Sequence, residues 1–210
     1  MTVGWGIAGP GGIAAQFAEG LGLVDGAVLA AVGSRSRERA DGFGDRFGIP
    51  NRYGSYQDMM SDPTVDVVYV ATPHAQHEAV VLAALEAGKH VLCEKPFALN
   101  EKQARRMADA ARSRGLFAME ALWSRFLPSY RIVADLLRGG RIGEPLLVEA
   151  DFGFRVPLMP EHRLFDLAQG GGALLDLGIY PLQLCSLVLG VPDSVVAKGH
   201  VGEKIGRAHV

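Results

Sequence analysis

The chain opens on an apolar run, Val3–Ala8, that feeds directly into Gly9-Pro10-Gly11-Gly12-Ile13-Ala14. A short buried strand that turns at once into a helix, through a loop stripped of side chains, leaves few folds open. It predicts an α/β unit built on a parallel sheet. The spacing Gly-x-Gly-x-x-Ala is also the form that seats the pyrophosphate of a dinucleotide. Gly9 permits the tight turn. Gly11 lets backbone approach phosphate, and Gly12 and Ile13 begin a helix whose N-terminus attracts negative charge. Ala14 keeps helix and sheet close.

Strand and helix patterns then alternate. Strands are expected at 27–32, 66–71, 90–93 and 117–121, and helices at Gly12–Leu21, Arg37–Phe47, 78–87 and from the Asn100 cap to about Arg114. Asp66-Val-Val-Tyr-Val-Ala is apolar on both faces, as a central parallel strand must be. The alternation implies a doubly wound sheet. Beyond Leu122 the pattern changes. A helix at 129–137, a long strand at 145–154, an apolar helix from Gly170-Gly171-Gly172 through Leu189, and a strand at 194–201 predict a partial α+β domain with a mainly antiparallel sheet. The expected division is 1–122, 123–204 and a non-native tail, 205–210. Ile-Gly-Arg-Ala-His-Val is the translation of a common sequencing adapter (ATC GGA AGA GCA CAC GTC), so His209 carries no chemical weight.

Composition narrows the partners. The chain has 210 residues, is 49% apolar and carries a formal net charge of −2. That balance argues against a nucleic-acid partner, and Glu38 and Asp41 dilute the only basic cluster, Arg35, Arg37 and Arg39. Cys93 and Cys185 sit in apolar surroundings and read as buried free thiols. No metal-ligand pattern is present. With no charged leader and no apolar run judged long enough to span a bilayer, the expectation is a cytoplasmic protein with no membrane partner.

The chemistry gathers at strand ends, where open α/β sheets bind ligands. Glu94-Lys95-Pro96 follows the strand at 90–93, and Pro96 keeps Lys95 out of helical conformation. Thr72-Pro73-His74, with His77 three residues on, follows the central strand, close to where a nicotinamide would lie. His77 reads by default as a satisfied structural histidine. At the end of the second strand, Gly33-Ser34-Arg35 offers a guanidinium where a carboxylate would hold a ribose 2′-hydroxyl. Ser34 and Arg35 therefore select NADP over NAD. Asp176 and Tyr180 are four apart on an apolar helix and share a face. A buried carboxylate needs a partner, and Lys95 is the expected one. Trp123 and Arg125 fall at the domain junction and could wall a substrate pocket with an aromatic face.

Taken together, Gly9–Ala14, Ala71–His77, Gly88–Pro96, Met119–Pro128 and Gly170–Pro181 make the chain resemble the Gfo/Idh/MocA oxidoreductases, from Val3 to about Val201. Tyrosine at position 180, where many members carry histidine, resembles the branch of dimeric dihydrodiol dehydrogenases and NADP-dependent aldose dehydrogenases. The resemblance implies a Rossmann domain followed by an α+β domain, here shorter than is usual. It implies Lys95 as the site lysine, Asp176 as its partner and Tyr180 as the acid–base group. Glu94 would lie beside the cofactor with Lys95, and Phe152 would join Trp123 and Arg125 against the substrate. The activity implied is an NADP-dependent dehydrogenase acting on a small polyol, an aldose or a trans-dihydrodiol, in a homodimer or larger homo-oligomer. Two rivals are a nucleotide-binding sensor without turnover and a sugar oxidoreductase that keeps its cofactor tightly bound.

Overall fold

Side chains alternate across a strand, and in the first half of the chain both sides of the sheet find cover. Ile7, Val32 and Tyr69 point into one apolar layer, whereas Ala8, Ala31, Val68 and Val70 point into the other. The molecule was analysed as a computed structural model that describes residues 2–157, 159, 161–201 and 206–208. It comprises two compact units, Met1–Ala121 and Leu122–Val210.

In the first unit, β1 (Val3–Ala8), β2 (Ala27–Gly33), β3 (Asn51–Tyr53), β4 (Val67–Val70), β5 (His90–Glu94) and β6 (Ala118–Ala121) form one parallel sheet in the order β3-β2-β1-β4-β5-β6. The strand order reverses between β1 and β4, and that switch point opens a crevice at the carboxyl ends of both strands. The helices α1 (Gly12–Leu21) and α2 (Arg37–Phe47) serve the layer around Ile7 and Tyr69. The helices α3 (Tyr56–Met60), α4 (His77–Glu86) and α5 (Glu101–Ser113) serve the layer around Val68 and Val91. Caps fix where helices begin. Ser36 accepts from the Arg39 N–H, Ser55 from Asp58 and Asn100 from Gln103, each satisfying a donor that the first turn leaves orphaned. The doubly wound parallel sheet anticipated from the alternation is therefore present. Strand β3 and helix α3 were not anticipated.

In the second unit, α6 (Pro128–Arg138) starts with proline in its first turn, a position where the missing N–H costs nothing. Three expectations need correction. The strand at 145–154 does not form. Residues 143–157 join no sheet among the described residues, and Leu146 and Leu147 are 88% and 74% exposed. β-Branched and aromatic content favours a strand only when a neighbouring strand takes up its backbone groups. Nor do the glycines open the long helix. Gly170 and Gly172 have φ of +75° and +111°, and a Cβ on Gly171 would lie within 2.8 Å of the carbonyl oxygens of Arg163, Leu164 and Asp166. The run instead closes a tight loop. Helical structure begins with a π turn, Leu174–Gly178, and continues as α7 (Ile179–Leu189). The strand expected at 194–201 shortens to β7 (Gly199–Val201), which pairs antiparallel with β8 (Gly206–Ala208). Of the expected non-native tail, Ile205, His209 and Val210 lie outside the described residues.

The stretch Leu167–Leu189 is, contrary to expectation, long and apolar enough to cross a membrane by length and composition, with a mean hydropathy of 1.6. Glycine scarcely lowers such an average, so the Gly170–Gly172 run does not exclude the stretch by composition. In the structure the same glycines break the stretch at Gly170–Gly172.

Candidate functional site

The glycine loop lies between the ends of β1 and β4. Gly9 has φ +95°, and a Cβ there would stand 2.9 Å from the Ala71 carbonyl oxygen. The turn therefore needs glycine on two counts, conformation and contact. Gly11 and Gly12 differ, since a Cβ on either would meet nothing within 4 Å. Their bareness serves the space outside the chain. Gly11 caps α1 without any side-chain hydrogen bond, leaving the first-turn N–H groups of Gly12 and Ile13 pointed toward that space. At the end of β4, the Thr72 hydroxyl is buried without a hydrogen-bond partner among the described residues. An uncapped N-terminus, open space over two glycines and an orphaned hydroxyl across the loop together fit a dinucleotide.

At the end of β2, Ser34 is buried and its hydroxyl accepts from the Ser36 N–H at 3.3 Å. Arg35 is exposed. Sequence reasoning missed Arg39. Its guanidinium leaves α2 to donate to the Pro10 carbonyl at 3.3 Å, tying the basic turn to the glycine loop. The signal available was its place in the basic cluster with Arg35 and Arg37.

Lys95 is half-buried directly after β5, and its peptide bond to Pro96 is cis. Three side chains grip this turn. Glu94 Oε2 accepts from the Lys95 N–H at 3.2 Å, Glu120 Oε1 accepts from the Phe97 N–H at 2.8 Å, and His77 Nδ1 lies 2.9 Å from the Pro96 carbonyl. His77 Nε2 lies 2.9 Å from the Thr72 carbonyl, so this fully buried ring bridges the two strand ends. Both ring nitrogens lie against backbone carbonyls, the structural role that was its default reading, although His77 was also assigned to the cofactor site. His74 is 5% exposed, with its ring edge-on to His77 at 5.7 Å. Glu94 was assigned to the cofactor. Its other oxygen accepts the Tyr69 hydroxyl at 2.5 Å, so both oxygens are engaged by protein donors. Burial pushes the Glu94 carboxyl above its ordinary range and Glu120 adds to that; the hydrogen bonds and the Lys95 charge only moderate the rise. Burial, then the charges of Glu94 and Glu120, also drives the Cys93 thiol up. Cys93 is therefore an inert core thiol.

The second unit holds a cavity of about 240 Å³, lined by Trp123, Ser124, Tyr130, Phe152, Tyr180 and Leu184, among others. Trp123 Nε1 donates to the Tyr180 hydroxyl at 3.0 Å. The Phe152 ring stands edge-on to Tyr180 at 5.3 Å and the Trp123 ring at 6.0 Å, a favourable aromatic geometry. The phenol thus meets Trp123 as an acceptor. The structure brings Trp123 and Phe152 together with Tyr180. Arg125 is exposed and does not line the cavity. Ser124, whose buried hydroxyl has no partner among the described residues, was not anticipated. Asp176 Oδ1 lies 3.7 Å from Arg163 Nη2, a partner that sequence reasoning did not name. Its π turn is a device found often at functional sites. Among the described residues no cluster of potential ligands could hold a metal ion.

Residues 3–122 match the family described as "Oxidoreductase family, NAD-binding Rossmann fold", and residues 130–208 match the GFO/IDH/MocA C-terminal domain. The chain is 42% identical over 207 residues to trans-1,2-dihydrobenzene-1,2-diol dehydrogenase of Mus musculus, covering 97% of this chain and 62% of that protein. It is 44% identical over 203 residues to the Bos taurus protein of the same name, covering 95% and 60%. The chain thus spans about three-fifths of these relatives. Among solved structures, KijD10, a 3-ketoreductase from Actinomadura kijaniata in complex with NADP and TDP-benzene, superposes with a TM-score of 0.78 at 35% identity, covering 90% of this chain and 58% of that one. An NAD binding oxidoreductase from Klebsiella pneumoniae gives 0.79 at 29% identity, covering 90% and 54%. The strand order, the glycine loop at the switch point and these matches lead to one conclusion: the chain belongs to the GFO/IDH/MocA oxidoreductase family.

Proposed function

We propose that this chain is the nucleotide-binding and acid–base portion of an NADP-preferring dehydrogenase, acting on a secondary alcohol or hemiacetal carbon of a small polyol such as an aldose or a trans-dihydrodiol. The observation that carries the reading is the Tyr180 phenol, held by the Trp123 indole inside an aromatic-walled cavity. Flat apolar walls suit a ring, and the phenol gives that ring a polar handle. Bound nicotinamide accepts or supplies the hydride. The chain's own residues do the rest.

Oxidation of a carbinol carbon releases a hydroxyl proton, and Tyr180 is the group assigned to take it, reacting as the phenolate that the Trp123 N–H and a neighbouring cation would favour. Lys95 provides a cation at the carboxyl end of β5, where the three grips on its turn fix its backbone. Gly11, Gly12 and Ile13 cradle the pyrophosphate, and the Thr72 hydroxyl gives the cofactor a polar contact. NADP preference rests on Arg35 and Arg39, since two guanidiniums suit a 2′-phosphate and no carboxylate stands at the end of β2 for a free 2′-hydroxyl. The names of the dihydrodiol dehydrogenases support the substrate class, and KijD10, solved with NADP, supports the cofactor.

Lys95→Met tests the assignment. Turnover in the gene extended to its relatives' full length falls on the order of 10²-fold or more, the range for acid–base groups, while NADPH affinity changes little. Turnover equal to wild type removes Lys95 from the mechanism.

A further inference from the structure

The aromatic stack behind the glycine loop ends on the turn that carries Lys95. Trp5 on β1 meets Phe17 on α1 with ring centroids 5.3 Å apart, and Phe17 stacks on Tyr69 of β4 at 3.8 Å with planes 15° apart. Tyr69 is 1% exposed. Its hydroxyl does not stop in the core. It donates to Glu94 Oε1 at 2.5 Å, and Glu94 Oε2 in turn accepts the Lys95 N–H. Both Glu94 oxygens are thus paired, in a site that is 9% exposed. A hydrogen bond to an ionised carboxylate is about twice as strong as one between neutral groups. Core packing would be served equally by phenylalanine, so the hydroxyl requires another account.

We infer that Tyr69 is a positioning residue: it holds Glu94 ionised and aimed at the backbone N–H of Lys95, so that the site lysine and helix α1 of the glycine loop share one buried support. The inference rests on the reading of Lys95 as the site lysine. Several charged or titratable groups bear on Glu94, and the Cys93 thiol adjoins it on β5. Tyr69 reaches it from β4, Lys95 from its own turn and Glu120 from β6. Burial and Glu120 disfavour its charge, whereas Tyr69 and Lys95 favour it. Glu94 is raised in the folded state, so its contribution to stability is fully present below the unfolded value and is lost as pH rises through the folded one. Without the Tyr69 hydroxyl the folded value climbs further, and that loss deepens at neutral and alkaline pH.

The test uses cofactor-free chain. Tyr69→Phe is compared with wild type by melting at pH 5 and pH 8 and by amide hydrogen exchange resolved by residue. The account predicts a gap in melting temperature that widens from pH 5 to pH 8. It also predicts exchange at the Lys95 N–H about 10-fold or more faster, the effect of weakening a hydrogen bond to a charged group, with exchange in α4 unchanged. A gap equal at both pH values, or a Lys95 N–H as protected as in wild type, overturns it and leaves Tyr69 a packing residue. Should Tyr69→Phe not fold, Glu94→Gln carries the test. Its melting temperature loses the pH dependence that wild type shows between pH 5 and pH 8; an unaltered dependence overturns the inference. Neither readout uses turnover, so a failure here is distinct from a failure of the Lys95 assignment, which only Lys95→Met turnover reports.

Discussion

The glycine loop permits one substitution to be made twice with opposite consequences. In Gly9→Ala the new methyl must adopt φ near +95° and stand 2.9 Å from the Ala71 carbonyl oxygen and 3.1 Å from the Thr72 nitrogen. The conformation alone costs an L-residue about 1–2 kcal/mol. The contact is with backbone at the end of β4, which cannot turn aside as a side chain would, and forcing it apart adds about 1–3 kcal/mol. A total of about 2–5 kcal/mol lowers the melting temperature of a unit this size by roughly 10 °C or more. In Gly11→Ala the backbone is extended at φ −125°, ψ −170°, and the methyl enters open space. A weaker cap and a stiffer unfolded chain nearly cancel, so the stability stays within about 0.5 kcal/mol of wild type. The methyl instead occupies the place proposed for the pyrophosphate, and loss of a charge-assisted hydrogen bond there weakens NADPH binding by about 10- to 100-fold. Differential scanning calorimetry with and without NADPH reads both effects. A Gly11→Ala variant that binds NADPH as wild type does, or a Gly9→Ala variant as stable as wild type, would refute the division between structural and ligand-facing glycines.

Two other perturbations have definite signs. Burial opposes the charge on Asp62, but hydrogen bonds from the Thr64 hydroxyl and N–H, and then from Tyr53 and Asn51, hold its carboxyl below the ordinary range. Asp62→Ala therefore costs on the order of 1–3 kcal/mol at neutral pH, and the cost fades as acid protonates the wild-type carboxylate below about pH 4; urea denaturation at pH 7 and pH 3 checks this. Arg35→Ala, measured by fluorescence titration, should weaken NADPH binding by about 10-fold or more and leave NADH nearly unchanged. Equal losses for both cofactors would remove Arg35 from recognition of the 2′-phosphate.

Legibility followed burial. Helices α1 and α2 and strand β1 were read from sequence with the bounds the structure gives, because a strand apolar on both faces and a capped helix each leave a local signature. Strand β3 left none. Asn51-Arg52-Tyr53 is a polar edge strand of three residues, too short for any period to register. Helix α3 is a single turn and a half, fixed chiefly by its Ser55 cap. The segment at 145–154 misled for the opposite reason: it has the residues of a strand, but strand pairing is a property of two segments. Around the site, the glycine loop, Lys95, Trp123 and Tyr180 stood out in the sequence because they sit in dense local patterns, whereas Phe152 came only from the family resemblance. The Arg39 contact with Pro10, the Tyr69–Glu94 bond and the Arg163–Asp176 pair were not, since each joins residues that only the fold brings together.

Transfer of label from substrate to cofactor bears most directly on the proposed chemistry. A trans-dihydrodiol or aldose deuterated at its carbinol carbon is incubated with NADP and the gene extended to its relatives' full length, as wild type and as Tyr180→Phe, and the reduced cofactor is examined by mass and NMR. The account predicts deuterium at nicotinamide C4 with wild type and a loss of transfer on the order of 10²-fold or more in Tyr180→Phe, with NADPH affinity retained. Cofactor that binds but gains no deuterium from any polyol, or a phenylalanine variant that transfers it as fast as wild type, would contradict the account.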